Sequence, residues 1–216
     1  MGKNDRRRVF AGPADYRAFL RALAQTQLRY PFRLYGYCVM TNHFHLLLEP
    51  EPGQSISRVL QSLTVAHTWR HHRQHGTVGH VWQGRFKGPV IQSDEHALTV
   101  LRYIEANPLR AGMVVDLRDY PWSSYRAHGL GQADALVTAL PGASGWEATA
   151  QTEPARWRTW GHTPLTESEL AAVRRSVTSG RPYGAAGWVE TTTARLGLRF
   201  AARFRGRPRK ESSEEK

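Results

Sequence analysis

The sequence predicts an α+β fold built around an antiparallel sheet. Three observations carry that expectation. Segments with apolar residues at helical spacing are interleaved with strand-like segments, in the order helix–strand–strand–helix–strand–helix. The first two strand segments are joined only by the turn formers Thr41 and Asn42, so they read as a hairpin. Apolar residues make up 40% of a 216-residue chain, enough for one core-bearing domain and against wholesale disorder.

Each element has a local cause. Tyr16, Phe19, Leu20 and Leu23 recur at helical spacing after Pro13, with Asp15 the candidate N-cap. Residues 33–40 are rich in aromatic and β-branched side chains and read as a strand, and residues 43–48 alternate as a second. Ser55 is the expected cap of a helix that lines up Ile56, Val59, Leu60 and Leu63 and runs to about Gln74. Residues 81–92 (VWQGRFKGPVIQ) read as extended structure broken by two glycines and a proline. Ser93 is placed to cap the next helix, with Asp94 and Glu95 where the dipole favours acids, and Pro108 argues for its end at Asn107. Thr166 and Glu169 form a capping box, and residues 188–196 read as another short helix. The expected organisation is a domain over residues 1–128, a linker or irregular insertion over 129–164, and a small helical, basic C-terminal extension over 165–216.

Charge and composition narrow the function classes. The net charge is +12 and the isoelectric point about 10.5, which favours an acidic partner, nucleic acid first and an anionic membrane surface second. No apolar run approaches the ~20 residues of a spanning helix, and the N-terminus lacks a signal core. One cysteine, Cys38, excludes an intramolecular disulfide framework and reads as a small buried side chain. The expectation is a soluble, cytoplasmic protein without membrane attachment.

Several residues can carry chemistry. On a strand, His43, His45 and Leu47 share one face and Phe44, Leu46 and Leu48 the other. The second set is a core face; the first places two imidazoles side by side, either gripping one metal ion or simply hydrogen-bonded. On the helix from Ser93, Ala97, Leu98, Leu101 and Ile104 form the apolar stripe, while Tyr103 and Asn107 stack on a face well away from it. That Tyr–Asn pair can complete a site with the histidines, or be a seam tyrosine and a helix C-cap. Two imidazoles and an amide oxygen leave positions open, which suits Mg²⁺ or Mn²⁺ acting on a phosphate better than structural zinc. His67, His71, His72 and His75 read as a basic surface, and His96 as a surface histidine or a helper base. The basic residues fall into three groups. Arg6, Arg7 and Arg8 open the chain. Trp82, Arg85, Phe86 and Lys87 form either a single-strand binding platform or, for the rings, core packing. Seven cations and no acid lie between Arg195 and Lys210, where Arg205, Arg207, Arg209 and Lys210 suit a minor groove or form a solubilising tail.

Together these segments resemble a known family. YGYCVMTNHFHLLLEP is similar to the strand–turn–strand of HUH nucleases. GHVWQGRFK, LRYIEANPLRAGMV and YPWSSY, in that order, resemble the one-tyrosine transposases, and within them the REP-associated tyrosine transposases of repetitive extragenic palindromes. The resemblance covers about residues 2–128. It implies a ferredoxin-like α+β domain with helices on one face of the sheet, acting on single-stranded DNA folded into hairpins, as a monomer or a homodimer associated with the nucleoid. It implies His43, His45 and Asn107 as metal ligands and Tyr103 as a nucleophile that forms a 5′-phosphotyrosine link. The chain departs from the pattern at its start. Gly2-Lys3-Asn4 is similar to the turn after a first strand, and that strand is expected to be missing, at ~1–3 kcal/mol for each backbone group left buried and unpaired. Two alternatives follow: a non-cleaving hairpin-binding protein of the same fold, and an RNA-binding module.

Overall fold

The computed structural model describes residues 2–3, 8–92, 95–140 and 153–198. The elements are β1 (Gly2–Lys3), α1 (Pro13–Arg29), β2 (Phe32–Val39), β3 (His43–Pro50), α2 (Ile56–His75), α3 (Glu95–Glu105), α4 (Asn107–Arg110), a 3₁₀ turn (Leu117–Asp119), α5 (Tyr125–Leu130), α6 (Pro154–His162), α7 (Glu167–Ser179) and α8 (Ala186–Arg195). The fold is α+β as expected. Its described sheet is antiparallel in the order β1-β3-β2.

The histidine strand is the middle strand. Gly2 and Lys3 pair with Phe44 and His43, so a two-residue stub stands where the first strand was expected to be absent. The other pairing carries a bulge. Leu34 faces Leu48 and Gly36 faces Leu47, leaving Tyr35 as the extra residue. That extra residue shifts the alternation by one, so Phe32, Leu34, Tyr37 and Val39 all join Phe44 in one core, while Tyr35 and Cys38 join Leu47 in another.

Helices cover both faces of this sheet, where the resemblance implied one. Phe19, Ala22 and Leu23 of α1 and Val59, Leu60 and Leu63 of α2 pack on the Phe44 face. Ala97, Leu98, Leu101 and Ile104 of α3 pack on the other, with Trp157 of α6 and Val173 of α7 behind them. The reason is that β2 is buried on both sides along almost its whole length, so each face needs a cover. A side chain at Gly36 would meet Leu101 Cδ1 at 2.1 Å, so the close approach of α3 to β2 depends on that glycine.

The segment after the 3₁₀ turn shields the outer edge of β2. Val39 donates its amide to Trp122 O (2.9 Å), Ser124 donates to Tyr37 O (3.0 Å), and Thr138 donates to Leu34 O (2.8 Å). Tyr120 OH donates to Val39 O, and Trp122 stacks on Tyr16 with centroids 4.6 Å apart. Residues 81–92 add no strand to the described sheet: residues 81, 82 and 84 are bends, Gly84 sits at φ +66°, and Ile91 makes an isolated bridge to Tyr183.

Some local expectations shift. Gly12, not Asp15, is the N-cap of α1. Pro13 takes the first helical position, and Asp15 at the third accepts from the Ala11 and Gly12 amides at 2.8 and 3.1 Å. The Thr166–Glu169 capping box forms as expected. Helix α6 falls within residues 129–164, the stretch expected to be a linker, and docks through Trp157, which is fully buried. Ser93 and Asp94 lie outside the described residues.

Candidate active site

Strand β3 and helix α3 build the site between them. His45 lies opposite Cys38 in the ladder, so its side chain points to the α3 side of the sheet. His43, two residues earlier, is on the same side, and the two rings meet edge to face at 4.9 Å. Across the seam stands Tyr103, its ring 5.9 Å from that of His45 and nearly perpendicular to it. The His pair and the tyrosine, 58 positions apart from His45, are therefore brought together by the packing of α3 on β3.

The surroundings set the chemistry of each group. His45 is buried, and among the described residues its Nε2 has no hydrogen-bond partner. Burial first, and then the neighbouring His43, hold its imidazole well below the usual histidine range, so it is neutral and offers a lone pair. His43 is half-buried, with Nδ1 2.7 Å from Asn42 Oδ1. Cys38 is fully buried, and desolvation pushes its thiol far up, which leaves it unreactive.

Tyr103 is more buried than its place on the helix predicted. It lay off the apolar stripe, yet Val100, Arg102, Tyr103 and Glu105 are all buried alongside Leu101 and Ile104. The cause is that α3 is enclosed, with the sheet on one side and α6 and α7 on the other. Asn107 donates Nδ2 to Tyr103 O (3.0 Å) and Ile104 O (3.1 Å), capping the end of α3 and leaving its oxygen as the lone-pair end.

Sequence reasoning missed two neighbours. Arg110 lies with its guanidinium 4.3 Å from the Tyr103 ring centroid and donates Nη2 to Tyr103 O at 2.6 Å. Its position seven residues on, two helical turns away, was the available signal. Glu105 is 2% exposed and accepts from three donors: Ser124 Oγ (2.5 Å) and His128 Nδ1 (2.7 Å) at one oxygen, Trp157 Nε1 (2.8 Å) at the other. It ties the last turn of α3 to α5, α6 and, through the Ser124–Tyr37 bond, to β2. The signal was an acid beside the apolar stripe, but nothing in sequence points to partners 19, 23 and 52 positions away.

The other candidate residues are placed as follows. Trp82 packs among Phe10, Phe19, Phe44 and His67, its ring 5.1 Å from both Phe44 and His67. It forms part of the core wall, as the packing alternative held, because rings from α1, α2 and β3 surround it. Arg85 and Lys87 are exposed, and Lys87 Nζ donates to Thr178 O at 3.0 Å. Arg205, Arg207, Arg209 and Lys210 lie outside the described residues, as do Arg6 and Arg7. His96 packs edge-on against Tyr183. The α2 histidines are not simply a basic surface: His67 is buried, with its imidazole pushed down to about 3 by desolvation, and His75 Nε2 bonds Asp15 at 2.7 Å. Among the described residues no group of three or more His, Cys, Asp or Glu is placed to hold a metal ion. No described helix is long and apolar enough to cross a membrane.

Comparison with known proteins agrees with this geometry. Residues 1–107 match the family of IS200-like transposases. A Haemophilus influenzae protein named as a REP-associated tyrosine transposase is 30% identical over 117 residues, a match that takes in 50% of this chain and 66% of that protein. The solved structure of a REP-associated tyrosine transposase bound to a REP hairpin is similar in fold, with a TM-score of 0.52 and 19% identity over 68% of this chain and 86% of that one. A histidine strand facing a tyrosine helix, inside a region matched along residues 1–107, makes this chain a member of the IS200-like transposase family.

Proposed function

We propose that the chain nicks and rejoins single-stranded DNA at hairpin sites, with Tyr103 as the nucleophile. The observation that carries this reading is the His45–Tyr103 juxtaposition, 5.9 Å between rings, with His43 beside it. A phosphodiester lying over this seam meets a phenol and two imidazoles at once. Tyr103 Oη attacks phosphorus and gives up its proton to solvent, the bond to the 3′ oxygen breaks, a 5′-phosphotyrosine link forms, and the leaving 3′ oxygen takes up a proton to become a hydroxyl. A second hydroxyl then displaces the tyrosine and restores the phosphodiester. Arg110, against the ring and bonded to the Tyr103 carbonyl, holds the phenol in place.

The donor set fits a divalent cation. The buried imidazole of His45 is neutral and, among the described residues, leaves Nε2 without a partner, so it can offer a lone pair; His43 is adjacent, and the Asn107 oxygen is the third candidate. Mg²⁺ or Mn²⁺ bound there would offset charge on the phosphate. Arg85, Lys87, Arg205, Arg207, Arg209 and Lys210 are proposed to contact the DNA backbone. The REP-associated relatives support a palindromic hairpin as the substrate.

The test is incubation of the full chain with labelled hairpin DNA and Mn²⁺ or Mg²⁺, followed by boiling in detergent and mass spectrometry. An adduct on Tyr103, absent in Tyr103→Phe while hairpin affinity stays within about twofold, is the expected result. A second reading, a hairpin-binding protein that does not cleave, is favoured by the burial of Tyr103 and by the commitment of the Asn107 amide to the helix end. Tight hairpin binding without any adduct would select it.

A further inference from the structure

We infer that the outward face of α1 and α2 is a second nucleic-acid surface, which holds single-stranded DNA by phosphate contacts and by stacking of one base on Trp69. The inference rests on the reading that the chain handles single-stranded DNA. It concerns the side of the sheet opposite Tyr103.

The two helices carry an unusual charge pattern. Arg17, Arg21 and Arg29 of α1 and Arg58 and Arg73 of α2 are exposed, with Arg70 half-buried between the helices. Across these helices the one acid is Asp15, which is 3% exposed and already bonded to His75 and to two backbone amides. Among the described residues none of the six arginines is in an ion pair. Arg17 and Arg21 are four apart, a like-charge spacing that disfavours the helix. A solvated helix face ordinarily mixes signs. Arg70 Nη2 donates to Gln25 Oε1 at 3.1 Å, which sets the two outward stripes side by side.

An exposed ring lies in the middle of this field. Trp69 is 62% exposed and belongs to the stripe Arg58, Val65, Trp69, Arg73. The Arg73 guanidinium lies 5.4 Å from its centroid and steadies the indole. Arginines flanking an exposed indole match what an unpaired strand presents, phosphates and free base faces; a duplex keeps its base faces stacked.

Anisotropy titration of the full chain with labelled dT30, and with a blunt hairpin lacking single-stranded flanks, tests this at several salt concentrations. Trp69→Ala is expected to weaken dT30 binding at least fivefold and to leave the blunt hairpin within twofold. Arg58→Gln with Arg73→Gln is expected to lower the salt slope for dT30 by about 1.4, from about 0.7 per cation lost. No binding of dT30 by the unaltered chain, or unchanged affinity and slope in the variants, overturns the inference. An equal loss on both probes assigns the face to a diffuse charge field and also overturns it. A change in oligomeric state alone, read by light scattering, assigns the face to a second copy with the same consequence. Adduct formation at Tyr103 is read separately on the unaltered chain, so failure of the cleavage chemistry leaves this binding test standing.

Discussion

Glu105→Gln tests whether a buried carboxylate fastens the tyrosine helix to the rest of the protein. The carboxylate accepts from Ser124 and His128 at one oxygen and from Trp157 at the other. Glutamine has one acceptor oxygen, so its NH₂ group must take the place of the second. Left at Oε1, the carbonyl keeps Ser124 and His128, and the NH₂ then faces the Trp157 N–H, donor against donor. A buried donor left unsatisfied costs ~1–3 kcal/mol, and weakening bonds that the full charge assisted adds about 1 kcal/mol. The expected loss is therefore about 2–4 kcal/mol, roughly 4–16 °C in melting temperature for a chain of this size. Trp157→Phe removes the opposing donor. In the Glu105→Gln background it should cost about 1–2 kcal/mol less than it does alone, and urea unfolding followed by circular dichroism measures all four corners of that cycle. Additive effects within about 0.5 kcal/mol would refute the reasoning, because they would mean the tryptophan and the carboxylate do not interact in the folded state.

Three further outcomes follow from the same structure. His67 is depressed in the folded state to about 3 from an ordinary value near 6.5, so burial favours its neutral form. The stability it contributes is complete above pH 6.5 and is lost as pH falls towards 3, at up to about 1.4 kcal/mol per pH unit. Acid titration of the folded protein should show that slope, and His67→Leu should flatten it; an unchanged slope would place the acid sensitivity elsewhere. Gly36→Ala sets a methyl 2.1 Å from Leu101 Cδ1 and 3.0 Å from Ser124 Oγ, and should cost about 1–3 kcal/mol in thermal unfolding unless α3 lifts away without strain. His45→Ala should weaken Mn²⁺ binding by tenfold or more in calorimetry, and an affinity unchanged by that substitution would remove the histidine pair from the metal site.

The resemblance and the grouping of the candidate residues were legible in sequence because they rest on short-range patterns. Alternation along residues 43–48 puts His43 and His45 on one face whatever packs over them, and the spacing of four puts Tyr103 and Asn107 on another. The hairpin was legible from its two-residue turn, and the Thr166–Glu169 capping box from three positions of chain. Tertiary structure decided the rest. A single bulge residue, Tyr35, sets which face Tyr37 and Val39 take, and alternation alone has no means to place an extra residue. The enclosure of α3 turned an off-stripe tyrosine and a glutamate into buried groups, since burial depends on what arrives from residues 154–179 as well as on the helix's own period. Trp82 was open to two readings because a ring beside cations has the same sequence whether it faces solvent or Phe44. Local periodicity determines which side chains can act together; only the long-range packing of helices on both faces of one sheet decides which of them are buried, which are paired, and which stay exposed.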